Sequence, residues 1–173
     1  LTQALNKVEQ GEEIPVEKLI ELKMGLATAY LLSGNINKTE SISLSVLPEI
    51  EKHHGKKTLN YITALEFIAL SNQLSAQYGA AVEYYKRIVI LHPFISNLAH
   101  ENKVRVLSNK SIAHKELGQF FEAIESEAKS LAILLTLTPK GSLEIINSLT
   151  QLAYLSGQLG HSEAQLKYIQ QQY

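Results

Sequence analysis

The chain contains no cysteine among its 173 residues. This absence excludes disulfide bonds, thiolate metal ligands and cysteine nucleophiles, and it fits a reducing compartment. The net charge is only −1, so no bulk field attracts the chain to nucleic acid or to anionic lipid. No apolar run approaches the roughly 18–20 residues that a membrane span needs. We therefore predict a cytoplasmic location, with neither nucleic acid nor a membrane as the partner.

Motifs for catalysis and metal binding are also missing. The sequence has no glycine-rich phosphate loop, no G-x-S-x-G elbow and no pair of carboxylates in an obvious catalytic setting. It has six histidines, but none of them forms the i, i+4 pair with a carboxylate that a zinc site shows. The sequence therefore predicts no enzyme, no catalytic or metal-binding residue and no cofactor.

A period of 42 residues runs through the chain. Turn residues recur at this spacing: Gly34, Ala76, Gly118 and Gly160. A small residue, as is needed where two helices approach closely, stands seven positions before each turn: Ala27, Ala69, Ser111 and Ala153. Self-similarity at a fixed period of this size is typical of stacked helical repeats. The period therefore predicts an all-α repeat fold.

Helix signals alternate with short breaks along the chain. The predicted helices span residues 16–32, 37–51, 58–75, 80–91, 97–117, 120–136, 143–157 and 162–171. Asn37, with Glu40 three residues later, has the pattern of a capping box. Pro48 is expected to kink or shorten the second helix, because proline removes a helical hydrogen bond. A clear break at residues 139–141 precedes the helix predicted over residues 143–157, for which Ser142 is a good N-cap.

The alternation predicts a single domain over residues 1–173. Its repeats cover approximately 16–56, 57–97, 98–140 and 141–173, and residues 1–12 are interpreted as the remnant of a preceding helix. The chain begins with leucine rather than methionine, which suggests a fragment of a larger protein.

The second repeat resembles a tetratricopeptide repeat (TPR). In residues 77–93, QYGAAVEYYKRIVILHP, the alanine of the TPR pattern falls on Ala81, its aromatic residue on Tyr85 and its closing proline on Pro93. Residues 117–124 match in the third repeat, and the first and fourth repeats match more weakly. The classical unit has about 34 residues, whereas this one has 42. Long units of this kind resemble those of kinesin light chain and of bacterial TPR-containing regulators.

The resemblance implies a right-handed α-solenoid of about four helix-turn-helix repeats, in which the first helix of each repeat lines a concave groove. The predicted partner-binding residues on that face are Asn60, Thr63, Glu66, Asn102, Arg105, Asn109, Asn147, Gln151 and Tyr154. Asn60 and Asn102 are 42 residues apart and are expected to stack as neighbours. Amide side chains donate and accept hydrogen bonds, as the backbone of an extended peptide requires. The alternative is an ordinary wet helix face, on which asparagine and glutamine are common.

The resemblance also implies a function, although its details differ from some TPR proteins. The basic clamp that some of them use for a carboxylate is absent, because its positions hold residues such as Met24, Thr28 and Ser108. Basic residues recur on the first helix of the third repeat, at Lys103, Arg105, Lys110 and Lys115, either as a patch for an acidic partner or phosphate or as a solvated surface.

We therefore expect a non-catalytic module that binds a protein or peptide segment. It would be the sensory or interaction domain of a larger bacterial signalling or transcription regulator. The alternative is a structural module that self-associates as a homodimer, with an apolar edge around Leu1, Leu5 and Val8 covered by the second copy.

Overall fold

The computed structural model describes residues 14–95, 98–161, 163–164 and 167–168. These residues form helices and turns, with no strand among them. Seven α-helices follow one another: α1 (Val16–Leu32), α2 (Ile36–His54), α3 (Leu59–Leu74), α4 (Tyr78–Leu91), α5 (His100–Glu116), α6 (Phe120–Leu137) and α7 (Leu143–Gln158). A short 3₁₀ helix, His92–Phe94, follows α4. The proposed helix in residues 1–12 lies outside the described residues, as does most of the last predicted helix.

Two details of the predicted helix boundaries are wrong. The second helix is capped by Asn35 rather than Asn37: the Asn35 side chain accepts a hydrogen bond from the Lys38 N–H at 3.3 Å. Asn37 lies inside the helix, so it forms no capping box with Glu40, whose carboxylate instead accepts a hydrogen bond from Asn72 on α3 at 2.7 Å. Pro48 does not shorten the helix, which continues past it to His54, and the alternative of a kink at Pro48 stays a prediction.

The first of two compact units ends at Gln77. In it, α1 packs on α2 and α2 packs on α3. Thr58 begins α3 as its N-cap, since its hydroxyl oxygen accepts a hydrogen bond from the Tyr61 N–H at 3.4 Å. Fully buried apolar side chains, among them Ile50 and Leu65, form the core. The stability of this unit therefore comes from packing between successive helices.

The second unit begins at Tyr78. Its helices pack in chain order, α4 on α5, α5 on α6 and α6 on α7. The buried cluster between α6 and α7 contains five residues: Leu131, Leu134, Ile145, Leu149 and Leu152. Tyr168, in the last described part of the chain, packs against this cluster. The predicted single domain with four repeat boundaries stays a prediction.

Four turns share one backbone geometry at the 42-residue spacing. The turn residue has a positive φ in each of them: 74° at Gly34, 57° at Ala76, 70° at Gly118 and 72° at Gly160. Its N–H donates to the carbonyl three residues earlier, and the next N–H donates to the carbonyl five residues earlier. This pair of bonds is the Schellman motif, which ends a helix by satisfying its last carbonyls. The sequence period is therefore also a period of the backbone.

Small residues are buried at one position of each first helix. Ala27, Ala69 and Ser111 are fully buried, and Ala153 is 5% exposed. The repeat position seven residues before each turn, whose small residues predicted a close approach of two helices, thus lies in the core. Ser111 is the polar member of the column, and its hydroxyl donates to the Ala123 carbonyl of α6 at 2.8 Å.

Ala76 occupies a turn position that favours glycine, because a Cβ is strained at positive φ. We expect Ala76→Gly to raise the free energy of unfolding by roughly 0.5–1 kcal/mol, and Gly118→Ala to lower it by a similar amount. A Cβ at Gly118 would meet no atom within 4 Å, so its cost would come from the backbone alone. Urea unfolding of both variants measures these changes. A less stable Ala76→Gly variant would contradict the left-handed assignment.

Candidate functional site

A groove of about 490 Å³ lies in the second unit, between α5, the end of α6 and α7. Apolar side chains such as Val104 and Leu134 form part of its wall, and polar groups form the rest. The complete lining is Glu101, Val104, Arg105, Ser108, Asn109, Ile112, Glu127, Leu134, Leu137, Thr138, Glu144, Asn147, Ser148 and Gln151. Its size falls in the usual range of ligand pockets, about 300–1,000 Å³. An apolar wall with a few polar groups suits a ligand that has both apolar and polar parts.

Four of the predicted binding residues line this groove. Arg105 and Asn109 reach it from α5, and Asn147 and Gln151 reach it from α7. Asn109 and Gln151 are half-buried, whereas Arg105 and Asn147 are exposed. The two first helices therefore supply three amide groups and one guanidinium to a common surface.

Two other predicted residues on these helices are not part of the groove lining. Asn102 is half-buried near the start of α5, and Tyr154, on α7, is 52% exposed. Their predicted role in partner binding stays a prediction. The exposed ring of Tyr154 offers apolar area outside the groove.

The three predicted residues on α3 have different surroundings. Asn60 is exposed, and the Thr63 hydroxyl donates to the Leu59 carbonyl of its own helix at 2.9 Å. Glu66 is only 7% exposed, so the expectation that it lies on an open helix face is wrong. Its position on α3 places it among the buried residues of that helix. Asn60 and Asn102 belong to different units, and their stacking stays a prediction.

The floor of the groove is a buried polar network. The Ser148 hydroxyl on α7 donates to Oε1 of Glu127 on α6 at 2.6 Å. The hydroxyl groups of Ser108 and Ser130 are 2.9 Å apart and connect α5 to α6. The Gln151 amide donates to the Ser111 hydroxyl at 3.4 Å. Burial raises the pKa of Glu127, and the hydroxyls of Ser148, Ser111 and Ser108 lower it in part.

Sequence reasoning missed Glu127, although the repeat contains a signal for it. Ser43, Tyr85 and Glu127 are spaced 42 residues apart, and all three are buried. A glutamate in a column whose other members are buried is unusual, because an ionised carboxyl group is costly to bury. Following that column from Tyr85 would have identified the residue.

The basic residues of α5 do not form one wall of the groove. Of the four, Arg105 lines it and the other three do not. Lys110 is half-buried, and burial lowers its pKa. Lys115 lies 3.2 Å from the Glu116 carboxylate. The four basic residues therefore do not act together on the groove, and the choice between a patch for an acidic partner and a solvated surface stays open.

Two further features were searched in the described part of the chain. None of the helices there is long and apolar enough to cross a membrane. Within the same residues, no group of three or more histidine, aspartate or glutamate side chains is placed to hold a metal ion.

Solved structures with the same arrangement of helices define the class of this fold. No family profile and no curated protein matches the sequence. The structure matches BtubC (BKLC) from P. vanneervenii with a TM-score of 0.80 and 13% identity, covering 99% of this chain and 68% of that one. It matches the kinesin light chain-like repeats of Podosopora anserina with a TM-score of 0.70 and 19% identity, covering 88% and 72%.

A MamA structure matches with a TM-score of 0.70 and 16% identity, over 98% of this chain and 83% of that chain. These likenesses define an all-α helical-repeat protein. More particularly, the chain has a TPR-like fold, and the resemblance predicted from residues 77–93 is confirmed at the level of the fold.

Proposed function

We propose that this chain is a non-catalytic repeat module that binds an extended segment of another protein in the groove of its second unit. The observation that carries the proposal is the groove itself, with amides of Asn109, Asn147 and Gln151 beside apolar side chains. Amide groups pair with the carbonyl and N–H groups of a peptide backbone. Val104 and Leu134 offer apolar contact to its side chains.

The TPR-like fold of the similar structures supports a protein-interaction module. The Podosopora anserina structure is described by its kinesin light chain-like repeats, and this chain shares that repeat fold. We propose that the module is the interaction or sensory domain of a larger bacterial signalling or transcription regulator in the cytoplasm. The apolar edge suggested for a homodimer, at Leu1, Leu5 and Val8, lies outside the described residues.

The proposal is tested by selecting peptides and then mutating the groove. Octapeptides selected on the wild-type chain from a random phage library would be synthesised with a fluorescent label and measured by anisotropy. We expect the Asn109→Ala/Asn147→Ala double variant to bind them about tenfold more weakly, since each amide contributes roughly 0.5–1.5 kcal/mol through its hydrogen bonds.

The matched control is Gln158→Ala, which removes an exposed amide at the end of α7, outside the groove lining. This variant is expected to bind as the wild type does. Equal affinity of the wild type and the double variant would place the binding surface elsewhere. A library that yields no binder would count against a peptide-binding function altogether.

A further inference from the structure

Glu127 places a buried carboxyl group at the floor of the groove. The residue is 3% exposed, and it is one of the groove-lining residues. Oε1 accepts the hydrogen bond from Ser148, whereas Oε2 is buried and makes no hydrogen bond among the residues that the structure describes, although the hydroxyls of Ser108 and Ser111 are near enough to lower the pKa of the carboxyl group. A buried carboxylate oxygen without a donor is costly to the fold. The floor thus holds an acceptor that would gain a donor if a ligand group displaced the side chains that cover it.

The polar residues of the floor replace apolar ones in the repeat. Glu127 takes the position of Tyr85 one repeat earlier, a position that holds Ser43 in the first repeat, and Ser130 takes the position of Ile88; Tyr85 and Ile88 are fully buried. Ser148 takes the column of Val106, which is also fully buried. Polar groups that break the pattern of a buried column destabilise the fold, and proteins keep such groups mainly at functional sites. Ser148 bonds directly to the Glu127 carboxyl group, and Ser130 is paired with Ser108, which also lines the groove.

The charges around the groove favour a cation. Glu101 on α5 and Glu144 on α7 line it together with Glu127, whereas Arg105 is the single cation among the lining residues. Three carboxyl groups against one guanidinium give the groove a negative potential when all are ionised. Interactions between charges near the buried floor of the groove are stronger than in bulk water. An acidic segment is therefore disfavoured, and a basic one is attracted.

Among basic groups, a guanidinium fits the floor best. Its N–H donors form a planar fork that can reach both oxygens of one carboxylate, so it can pair with Oε2 and with the remaining lone pair of Oε1. A lysine ammonium is a compact point charge without this geometry.

We propose that the groove selects a peptide segment carrying an arginine, whose guanidinium pairs with Glu127 at the groove floor. The inference rests on the proposed function, because it names the chemistry of the segment that the groove binds. In this proposal Glu127 determines which peptide is bound. The amides of Asn109, Asn147 and Gln151 bind the peptide backbone.

The test compares arginine with its neutral isostere. Two fluorescently labelled octapeptide pools would be compared. One fixed central position would be arginine in one pool and citrulline in the other, and all remaining positions would be random. On the wild-type chain we expect the arginine pool to bind about tenfold more tightly than the citrulline pool. In Glu127→Gln, which keeps the size of the side chain and an acceptor for Ser148, this preference for arginine over citrulline is expected to disappear.

The matched control is Glu125→Gln on the same helix. Glu125 pairs with Lys129 at 2.6 Å, and its side chain is 64% exposed and outside the groove lining. This variant is expected to keep the full preference for arginine. Helical circular dichroism and thermal melting of each variant would show whether the fold is intact, and Glu127→Asp provides a charged variant if the glutamine variant fails to fold.

The outcomes separate this inference from the proposed function. Binding of both pools with equal affinity by the wild type overturns the arginine preference and leaves peptide binding in place. A preference that persists in Glu127→Gln overturns the role of Glu127. No binding of either pool, together with no binder from the random library, overturns the proposed function as well.

Discussion

Replacing Leu152 with alanine is expected to lower the free energy of unfolding by about 2–5 kcal/mol. Leu152 is fully buried in α7 and belongs to the cluster with Leu131, Leu134, Ile145 and Leu149. Truncation removes apolar contacts and leaves a cavity that the closely packed helices fill only in part. Because this cluster joins α6 to α7, the loss would also loosen the helices that form the groove.

Chemical denaturation followed by circular dichroism measures this effect. Leu143→Ala is the matched control, since Leu143 is on the same helix and is 69% exposed. Its substitution should change the stability by no more than about 0.5 kcal/mol. Equal losses in the two variants would show that Leu152 is not in the core. The m-value should be compared as well, because the two compact units can unfold in separate steps.

Acidification is expected to destabilise the second unit through His92. The residue is 8% exposed, and burial, with a smaller effect of Lys103, lowers its pKa from 6.5 to about 4. The folded chain therefore keeps a neutral imidazole where the unfolded chain takes up a proton. The stabilising contribution is complete above pH 6.5, falls as the pH drops from 6.5 to about 4, and does not change further below that. The loss amounts to at most about 3 kcal/mol.

The measurement is the free energy of unfolding at pH 7 and at pH 4, for the wild type and for His92→Gln. The variant cannot take up this proton, so its stability should fall less between the two values. His53→Gln, at an exposed position of α2, is the control and should follow the wild type. His114 contributes in the same direction, because burial also lowers its pKa. Parallel pH profiles of the wild type and His92→Gln would contradict the prediction.

Most of the fold could be predicted because its signals are local. The spacing of Gly34, Ala76, Gly118 and Gly160 gave the positions of the turns, and α1 begins and ends at the predicted residues. Caps were less accurate: asparagine is a good N-cap at both 35 and 37, and the choice depends on one hydrogen bond to Lys38. The partner of Glu40 lies 32 residues away, which local patterns do not reveal.

The candidate site was predicted only in part, for a physical reason. Helical register places Arg105, Asn109, Asn147 and Gln151 on the first helices, and these four line the groove. Helical register does not predict how deeply a side chain is buried. The prediction therefore assigned Glu66, which is buried, to an open helix face. Glu127 comes from a second helix, to which the resemblance assigns no binding role. Its position at the floor depends on how α6 packs on α5 and α7.

The backbone closure of the four turns has a consequence for how far the sequence can vary. A turn closed by two main-chain hydrogen bonds requires only one residue with a positive φ. Alanine occupies that position at residue 76. Side chains around it are then free to diverge while the helices remain joined in the same way. Sequences with this turn closure can thus differ in nearly all their residues and keep the same helical fold. The match to BtubC, with a TM-score of 0.80 at 13% identity, is an example of a shared fold without a shared sequence.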